Sequence, residues 1–308
     1  MLPEIAAVLA THLVGAPPRW AGRAFDRMLA DSLGRNRDDL GPDLHAVGAP
    51  EQDVEEILGR LDSAAERLAR LSDVGIRLVV RGGAGFPPAW DARLRQRAPR
   101  ACFAAGDDRL FRLPMVAVVG SRALDERAAF AARAFAEAAV GRSRAVVSGG
   151  ARGADRIAMD AALESDGSTV GILASGLAKP MSTGETRRRI DSGRLALLSP
   201  YAPDASFSVG QAMGRNRLVY GIARCTVVVA CEVGTGGTWA GALDAIKLGL
   251  GPVFVWTGAG SPAANRELLK HGASPCEDPG RLAAWLDGHP ESFPAVDPTP
   301  EPQPGLPF

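Results

Sequence analysis

The sequence predicts an α/β protein in which a doubly wound, mostly parallel sheet follows a small helical domain. Three observations lead to this fold class. Short apolar runs rich in β-branched residues alternate with segments of helical periodicity from residue 114 to about residue 258, a pattern typical of βαβ units. Small, glycine-rich turns join several of these runs to the helices that follow them. The first 72 residues, in contrast, show helical periodicity alone.

Residues 1–72 form the predicted helical domain. Apolar residues at helical spacing predict helices over 2–13, 20–33 and 52–71, and Gly34 ends the second of them. Bundles of this size bind DNA or mediate protein contacts, and the local charge pattern does not decide between the two.

The second predicted domain covers residues 73–288. Its strands are predicted as continuous apolar runs, because parallel strands are buried on both faces. The strand candidates are 75–80, 99–103, 116–119, 144–148, 168–174, 195–198, 225–230 and 252–256. The helix candidates are 125–139, 154–164, 209–223, 237–249 and 278–287. Ligands of such a sheet bind at the carboxyl ends of its strands.

Residues 289–308 are rich in proline and have almost nothing to bury, which predicts a disordered or extended tail.

Composition limits the class of protein. The chain has 308 residues with 35 basic and 35 acidic side chains, so its formal net charge is zero. This balance argues against a protein that coats nucleic acid through bulk charge, although arginines cluster at 187–189, 194, 215 and 217. The four cysteines form no CxxC pair, which fits a reducing compartment. With neither a signal peptide nor an apolar run of membrane-spanning length, we expect a cytoplasmic protein without a membrane partner.

Two glycine-rich turns carry the strongest functional pattern. Gly120, Ser121 and Arg122 follow the first strand of the alternating region, and the run from Ser148 to Asp155 follows the second. A strand that enters a helix through glycines points unpaired N–H groups at one place, where the helix dipole favours an anion. Arginines at both turns add a fork geometry that suits phosphate. The pattern predicts a phosphate site, for a nucleotide or a nucleic-acid backbone.

Each turn also has a simpler interpretation. The first is compatible with a tight turn beside a solvated arginine. In the second, Asp155 lies in the first helical turn, where it either caps the helix or orients Arg152.

Two further motifs extend the predicted site. Arg215, Asn216 and Arg217 lie on one helix candidate, either holding phosphate or forming a solvated face. The turn Gly236-Gly237-Thr238 opens the next helix candidate, which predicts a third backbone cradle. The predicted DNA- or phosphate-binding residues are Gly120, Ser121, Arg122, Ser148, Gly149, Arg152, Arg215, Asn216, Arg217, Gly236, Gly237 and Thr238.

Catalytic groups are few. The four histidines are scattered outside every turn, and the sequence has no Ser–His pairing, metal-ligand cluster or GxxxxGK loop. Glu232 and Asp155 are the only carboxylates near the predicted site. We therefore expect a binding protein with no catalytic residue, metal or cofactor.

These residues, in this order, resemble the DNA-processing protein A (DprA/Smf) family across roughly residues 74–258. The chain has Met159 where the family usually has histidine. The motifs that carry the resemblance are Gly85-Phe86-Pro87, residues 102–107, Val119-Gly120-Ser121-Arg122, the run from Ser148 to Asp155, Arg215-Asn216-Arg217, and Gly236-Gly237-Thr238 in place of the family's Ser-Gly-Ser.

The resemblance implies an extended Rossmann-like fold that binds single-stranded DNA in a basic pocket. It also implies dimerisation and the loading of the recombinase RecA onto incoming DNA in natural transformation. We expect Arg122 and Arg152 to neutralise phosphates, with N–H groups near Gly120, Ser121, Ser148 and Gly149 completing the cradle and with Arg215 and Arg217 extending the groove. With only two tyrosines in the chain, we expect aromatic stacking to be minor.

Two alternatives remain. The Gly236-Gly237-Thr238 turn also resembles the phosphoribohydrolases called LOG proteins, in which case Glu232 is the candidate catalytic carboxylate. The third interpretation is a sensor in phage defence that binds a nucleotide signal without turnover.

Overall fold

The computed structural model describes residues 19–30 and 36–289. The predicted helix 2–13 and the proline-rich tail lie outside the described residues. The described residues fall into two compact units: the first takes those up to Ala84 together with Pro99–Cys102, and the second takes Gly85–Ala98 and those from Phe103 onward. The predicted boundary between residues 72 and 73 stays a prediction.

The first unit is mainly helical. Leu40, Leu44, Ile57 and Leu61 are among its fully buried side chains. Its helices are α1 (Arg19–Leu29), α2 (Arg37–Ala46) and α3 (Glu51–Asp73).

Two of these helices differ from the prediction. Helix α1 ends at Leu29 rather than at residue 33, and Ala30 is a turn. Helix α2 was not predicted, because Gly41 and Pro42 lie inside it and both residues have low helix propensity.

The strands form one mixed sheet with the order β1-β2-β6-β5-β4-β3-β7-β8-β9. Strand β2 pairs with β6 antiparallel, whereas the pairs from β6 through β5, β4, β3, β7 and β8 to β9 are parallel. The strands are β1 (Arg77–Val80), β2 (Ala101–Ala105), β3 (Met115–Gly120), β4 (Ala145–Ser148), β5 (Thr169–Ile172), β6 (Leu195–Ser199), β7 (Cys225–Ala230), β8 (Val253–Trp256) and β9 (Ser274–Cys276).

The helices of the second unit connect these strands. They are α4 (Pro88–Leu94), α5 (Glu126–Val140), α6 (Ala154–Glu164), α7 (Ala178–Met181), α8 (Gly184–Asp191), α9 (Val209–Ile222), α10 (Gly236–Lys247), α11 (Asn265–Leu269) and α12 (Pro279–Gly288). The doubly wound arrangement and the strand–helix alternation confirm the predicted fold class. None of the described helices is long and apolar enough to cross a membrane.

The sequence missed the short and polar elements. Pro88 is the first residue of α4, where its missing N–H is harmless. Helix α8 buries none of its residues, so it carries no apolar periodicity. Strand β9 has three residues, with Pro275 at its centre and a place at the edge of the sheet, where proline is tolerated.

The core of the second unit explains why the alternation of strands and helices could be predicted from the sequence. Every residue of β4 and β7 is buried, so these strands are continuous apolar runs. Helices α5 and α6 face them with small residues such as Ala132, Ala136, Ala158 and Ala162, all fully buried. This packing fixes the carboxyl ends of β3, β4 and β7 and the turns that follow them.

Candidate functional site

A cavity of about 440 Å³ opens at the carboxyl ends of β4 and β5. The turn Gly149–Ala151 forms one wall, and residues from helices α6, α7 and α8 form the others. Met159, Leu173 and Leu197 give it an apolar lining, and Phe207 and Arg215 also face it. A cavity of this volume suits a small organic group.

Arg215 is a buried guanidinium beside this cavity. Its residue is only 5 % exposed, and its side chain rests directly on Gly149, where any Cβ would overlap the guanidinium. Among the described residues, no hydrogen bond or ion pair is made by Arg215, and its Nε is buried without a partner. Burial lowers the pKa of Arg215, and the charge of Asp155 opposes this shift. The guanidinium therefore has the charge of Asp155 beside it but keeps a buried N–H without a hydrogen-bond partner, which is costly.

Asp155 lies at the start of α6, next to the same turn. Its residue is 7 % exposed, and burial raises the pKa of its carboxyl group. The charge of Arg215 opposes that shift most, and the polar groups of Ala151, Ser148 and Gly149 oppose it further. The charge that acts on Asp155 is that of Arg215, and Arg152 is not among the groups that shift its pKa.

The first glycine turn packs against the second. Gly153 has a φ of +85°, and a Cβ there would overlap the Ser121 carbonyl oxygen. The N–H of Ala154 donates to that oxygen at 3.2 Å, and the N–H of Ser121 donates to the Ala230 carbonyl oxygen at 2.9 Å. The Ser148 hydroxyl donates to the Val118 carbonyl oxygen at 2.7 Å. The Ser121 N–H and the Ser148 hydroxyl thus bond to carbonyl oxygens of neighbouring strands. That N–H groups near Gly120, Ser121, Ser148 and Gly149 complete a phosphate cradle stays a prediction.

Arg122 and Arg152 are exposed near these turns. The Arg122 guanidinium carbon lies 4.8 Å from the centre of the Phe207 ring, and Arg122 is close enough to Arg215 to lower its pKa. Within the part of the chain that the structure describes, the Arg152 side chain makes no hydrogen bond or ion pair. Phe207 is 47 % exposed. The sequence missed this phenylalanine because it lies in a loop outside any motif.

The opposite wall of the cavity carries paired charges. Arg189 contacts Asp160 at 2.5 Å and Glu185 at 2.7 Å, and Arg156 contacts the same two carboxylates at 2.9 and 3.5 Å. These four residues link α6 to α8. Lys179 adds a further positive charge to the lining.

The other predicted residues do not line the cavity. Arg217 forms an ion pair with Asp244 of α10 at 3.0 Å, and Asn216 donates to the Gly237 carbonyl oxygen at 2.9 Å. Gly236 is exposed, and Gly237 and Thr238 are partly exposed. The structure therefore brings Gly149 and Arg215 together but leaves Arg217 and the Gly236-Gly237-Thr238 turn outside the cavity.

The hydrolase alternative depends on Glu232 as its candidate catalytic carboxylate. Glu232 is exposed and is not among the residues that line the cavity. Within residues 19–30 and 36–289, no group of three or more His, Cys, Asp or Glu side chains could hold a metal ion. All four cysteines are free and buried.

Comparison with known proteins adds a family. The model of the family described as DNA recombination-mediator protein A matches residues 77–286. A Mycobacterium tuberculosis H37Rv protein described as a DNA processing protein DprA is 36 % identical over 190 residues, which cover 59 % of this chain and 44 % of the relative. The DNA processing protein DprA of Streptococcus pneumoniae R6 is 30 % identical over 149 residues, covering 48 % and 52 %. The chain spans about half the length of the curated relatives it matches.

Two solved structures share the fold. The X-ray structure of DNA processing protein A from Streptococcus pneumoniae superimposes with a TM-score of 0.71 at 22 % identity, covering 92 % of this chain and 97 % of that one. The structure of DNA processing protein A from Helicobacter pylori gives a TM-score of 0.58 at 23 % identity, covering 69 % and 96 %. The latter structure concerns the single-stranded DNA binding mode of that protein.

Proposed function

Because the chain belongs to the family of DNA recombination-mediator protein A, we propose that it binds single-stranded DNA at the cavity beside Arg215. The observation that carries this proposal is the Arg215 guanidinium, which is buried, faces the cavity and has a buried Nε without a hydrogen-bond partner among the described residues. A backbone phosphate accepts hydrogen bonds from the guanidinium. The exposed guanidinium groups of Arg122 and Arg152 contact neighbouring phosphates.

The cavity also provides for a base. Its apolar lining and its volume of about 440 Å³ suit one unstacked nucleobase. Phe207 offers an exposed ring at the cavity, and base–aromatic stacking contributes about 1–3 kcal/mol per base. Stacking on Phe207 thus replaces the tyrosine contacts that the composition makes scarce. Because every base has a flat apolar face, this mode of binding is tolerant of sequence.

The wider role follows from the family rather than from the site. We propose that the protein acts without catalysis, metal or cofactor, protecting single-stranded DNA in uptake and recombination in the cytoplasm. We further propose that it forms a homodimer and loads the recombinase RecA. The family's description as a recombination mediator supports the proposed role in recombination. The two carboxylates that line the cavity, Asp160 and Glu185, are both paired with arginines. No observation therefore favours the hydrolase alternative.

Fluorescence anisotropy with a labelled dT oligonucleotide tests DNA binding. We expect affinity to fall steeply with salt, with a log–log slope of about −0.7 per phosphate contact on a single strand. Arg122→Ala and Arg152→Ala should each weaken binding on the order of 5-fold and reduce the slope by about 0.7.

Arg142→Ala is the matched control. Arg142 is also a surface arginine, but it lies where β4 begins, at the opposite end of that strand, and pairs with Asp287 at 2.9 Å. Its replacement should leave both affinity and slope unchanged. Absence of oligonucleotide binding by the wild type at low salt, or equal losses in all three variants, contradicts the proposed site.

A further inference from the structure

A second cavity lies at the other end of the sheet, where strands β3 and β7 begin. Its volume is about 120 Å³. Its walls come from helix α4, from the segment that leads into β3 and from the link between α9 and β7. Strands β3, β4, β5 and β7 run parallel, and the larger cavity lies at the carboxyl ends of β4 and β5. The second cavity is therefore separate from the proposed DNA site.

Three arginines line this second cavity, which we call the arginine cavity. They are Arg93 of α4, Arg112 before β3 and Arg224 before β7. The other lining residues are all apolar, and no acidic residue is among them. The larger cavity differs, because Asp160 and Glu185 line it together with the arginines that they bind. The lining of the arginine cavity thus has three positive charges and no negative one.

The Arg93 guanidinium is held in place by backbone groups. It donates to the carbonyl oxygen of Ala223 and to that of Leu250, the latter at 3.2 Å. Burial, together with the neighbouring positive charge of Arg224, lowers the pKa of Arg93 to about 10. Arg93 therefore keeps its charge at neutral pH. Two positive charges are held at one small cavity, and a bound anion reduces their mutual repulsion.

Arg112 lies at the rim of the arginine cavity. Its side chain is exposed, and within the part of the chain that the structure describes it makes no hydrogen bond or ion pair. A guanidinium in this position presents its N–H fork to a ligand. The cavity volume is far below the roughly 300–1,000 Å³ of pockets that hold whole organic ligands. The arginine cavity therefore suits a compact anion rather than a nucleobase.

We propose that the arginine cavity is an anion site that binds one phosphate group. Guanidinium groups bind phosphate oxygens through paired, charge-assisted hydrogen bonds, which chloride cannot form. Free phosphate and a phosphate of a nucleic acid offer the same chemistry, and variants of the protein distinguish the two sources. The inference goes beyond the proposed function and stands without it, because the two cavities share no lining residue.

Thermal unfolding in potassium phosphate and in potassium chloride, at equal pH and ionic strength, tests the site. Phosphate at roughly ten times its Kd should raise the Tm of the wild type by about 3 °C relative to chloride. Calorimetric titration with inorganic phosphate measures the Kd. Arg112→Met and Arg224→Met should each weaken phosphate binding on the order of 10-fold.

Two further variants locate the response. Arg97→Met is the matched control, because Arg97 is an exposed arginine that follows α4 but does not line the arginine cavity. It should bind phosphate as the wild type does. Arg215→Met removes the guanidinium of the larger cavity and should also keep the phosphate response. If Arg224→Met fails to fold, the exposed Arg112 still decides the matter through Arg112→Met.

Anisotropy with a labelled dT oligonucleotide identifies the source of the phosphate. Unchanged DNA affinity in Arg112→Met assigns the arginine cavity to free phosphate, whereas a loss on the order of 5-fold assigns it to a phosphate of the DNA strand. A wild type whose Tm ignores phosphate overturns the inference. So does a response that persists in both Arg112→Met and Arg224→Met, or one that disappears in Arg215→Met alone. Failure of the wild type to bind the oligonucleotide contradicts the proposed function, while the phosphate titrations still decide the role of the arginine cavity.

Discussion

The glycine turn after β4 and the glycine turn after β7 look alike in sequence but differ in what surrounds them. At Gly149 any Cβ would overlap the Arg215 guanidinium, and at Gly150 a Cβ would come within 2.6 Å of Leu173. At Gly234 and Gly236, which have φ values of +70° and +79°, a Cβ would meet nothing within 4 Å. The first turn needs glycine because other groups approach it closely. The second needs glycine only for its backbone conformation.

The two turns therefore differ in the groups that pack against them. What distinguishes the first turn is a guanidinium supplied by helix α9, together with a cavity beside it. The second turn is exposed, and its N-cap Thr235 makes no side-chain capping hydrogen bond. The following four predictions test this contrast, beginning with the largest expected effect.

Arg215→Met should weaken binding of a dT oligonucleotide on the order of 100-fold, because it removes a charge-assisted contact of about 1.5–3 kcal/mol. Arg217→Met, two residues further along the same helix, should change the affinity by less than about 3-fold, since Arg217 pairs with Asp244 instead. Anisotropy titrations at one salt concentration compare the two. Equal losses in both variants would mean that α9 presents both arginines to DNA.

Asn265→Ala should reduce the free energy of unfolding by about 2 kcal/mol, because it leaves buried backbone groups without partners. The Asn265 amide, fully buried, donates to the Val229 and Trp256 carbonyl oxygens at 3.0 and 2.9 Å and accepts from the N–H of Cys231 at 3.1 Å. It therefore fixes the end of β7, from which the second turn departs. Urea denaturation measures the loss.

DNA affinity of the folded Asn265→Ala protein should stay unchanged if the second turn takes no part in binding. Asn216→Ala, which removes one hydrogen bond to α10, is the milder comparison, with an expected loss of about 1 kcal/mol. A weaker oligonucleotide complex in both variants would assign DNA contacts to the second turn.

Gly149→Ala and Gly236→Ala test why each turn needs glycine: the close approach of Arg215 at Gly149, and the positive φ at Gly236. The first displaces Arg215 and should weaken DNA binding by about 10-fold. The second forces alanine into a positive φ and should cost about 1 kcal/mol of stability without a change in affinity. Thermal unfolding and anisotropy on both proteins provide the comparison, and a loss of affinity confined to Gly236→Ala would reverse the assignment.

Thr235→Asp should stabilise the protein by about 0.5 kcal/mol, because aspartate at the N-cap offers an oxygen to the first turn of α10 and favours the helix dipole. The added negative charge should leave DNA affinity within about 2-fold of the wild type. If Gly236, Gly237 and Thr238 contact phosphate as the sequence predicts, the same charge should repel DNA and lower the affinity clearly.

Most of the sheet could be predicted from the sequence because its central strands are buried on both faces. Strands such as Cys225–Ala230 are continuous apolar runs, and their bounds follow from composition alone. The glycine turn after β4 was also visible. Helix α2 was not, because its proline and glycine obscure the periodicity.

The site was harder to predict than the fold, since its decisive contacts join distant parts of the chain. The sequence could not show that the charge of Arg215 acts on Asp155 or that Phe207 reaches the cavity. Arg215 precedes the buried Leu218 and Val219 by three and four residues, but Arg217 likewise precedes the buried Tyr220 and Gly221. Helical phase alone therefore does not distinguish the two arginines.

The contact between Gly149 and Arg215 has a consequence for synthesis of the protein. Helix α6, strand β5, helices α7 and α8 and strand β6 lie between these two residues along the chain. The ribosome completes the glycine turn well before it reaches α9, so the emerging chain has no guanidinium above that turn. The contact forms only after Ile222, the last residue of α9, has been added and the helix has docked. A nascent chain that ends before α9 therefore lacks the part of the proposed DNA site that Arg215 supplies.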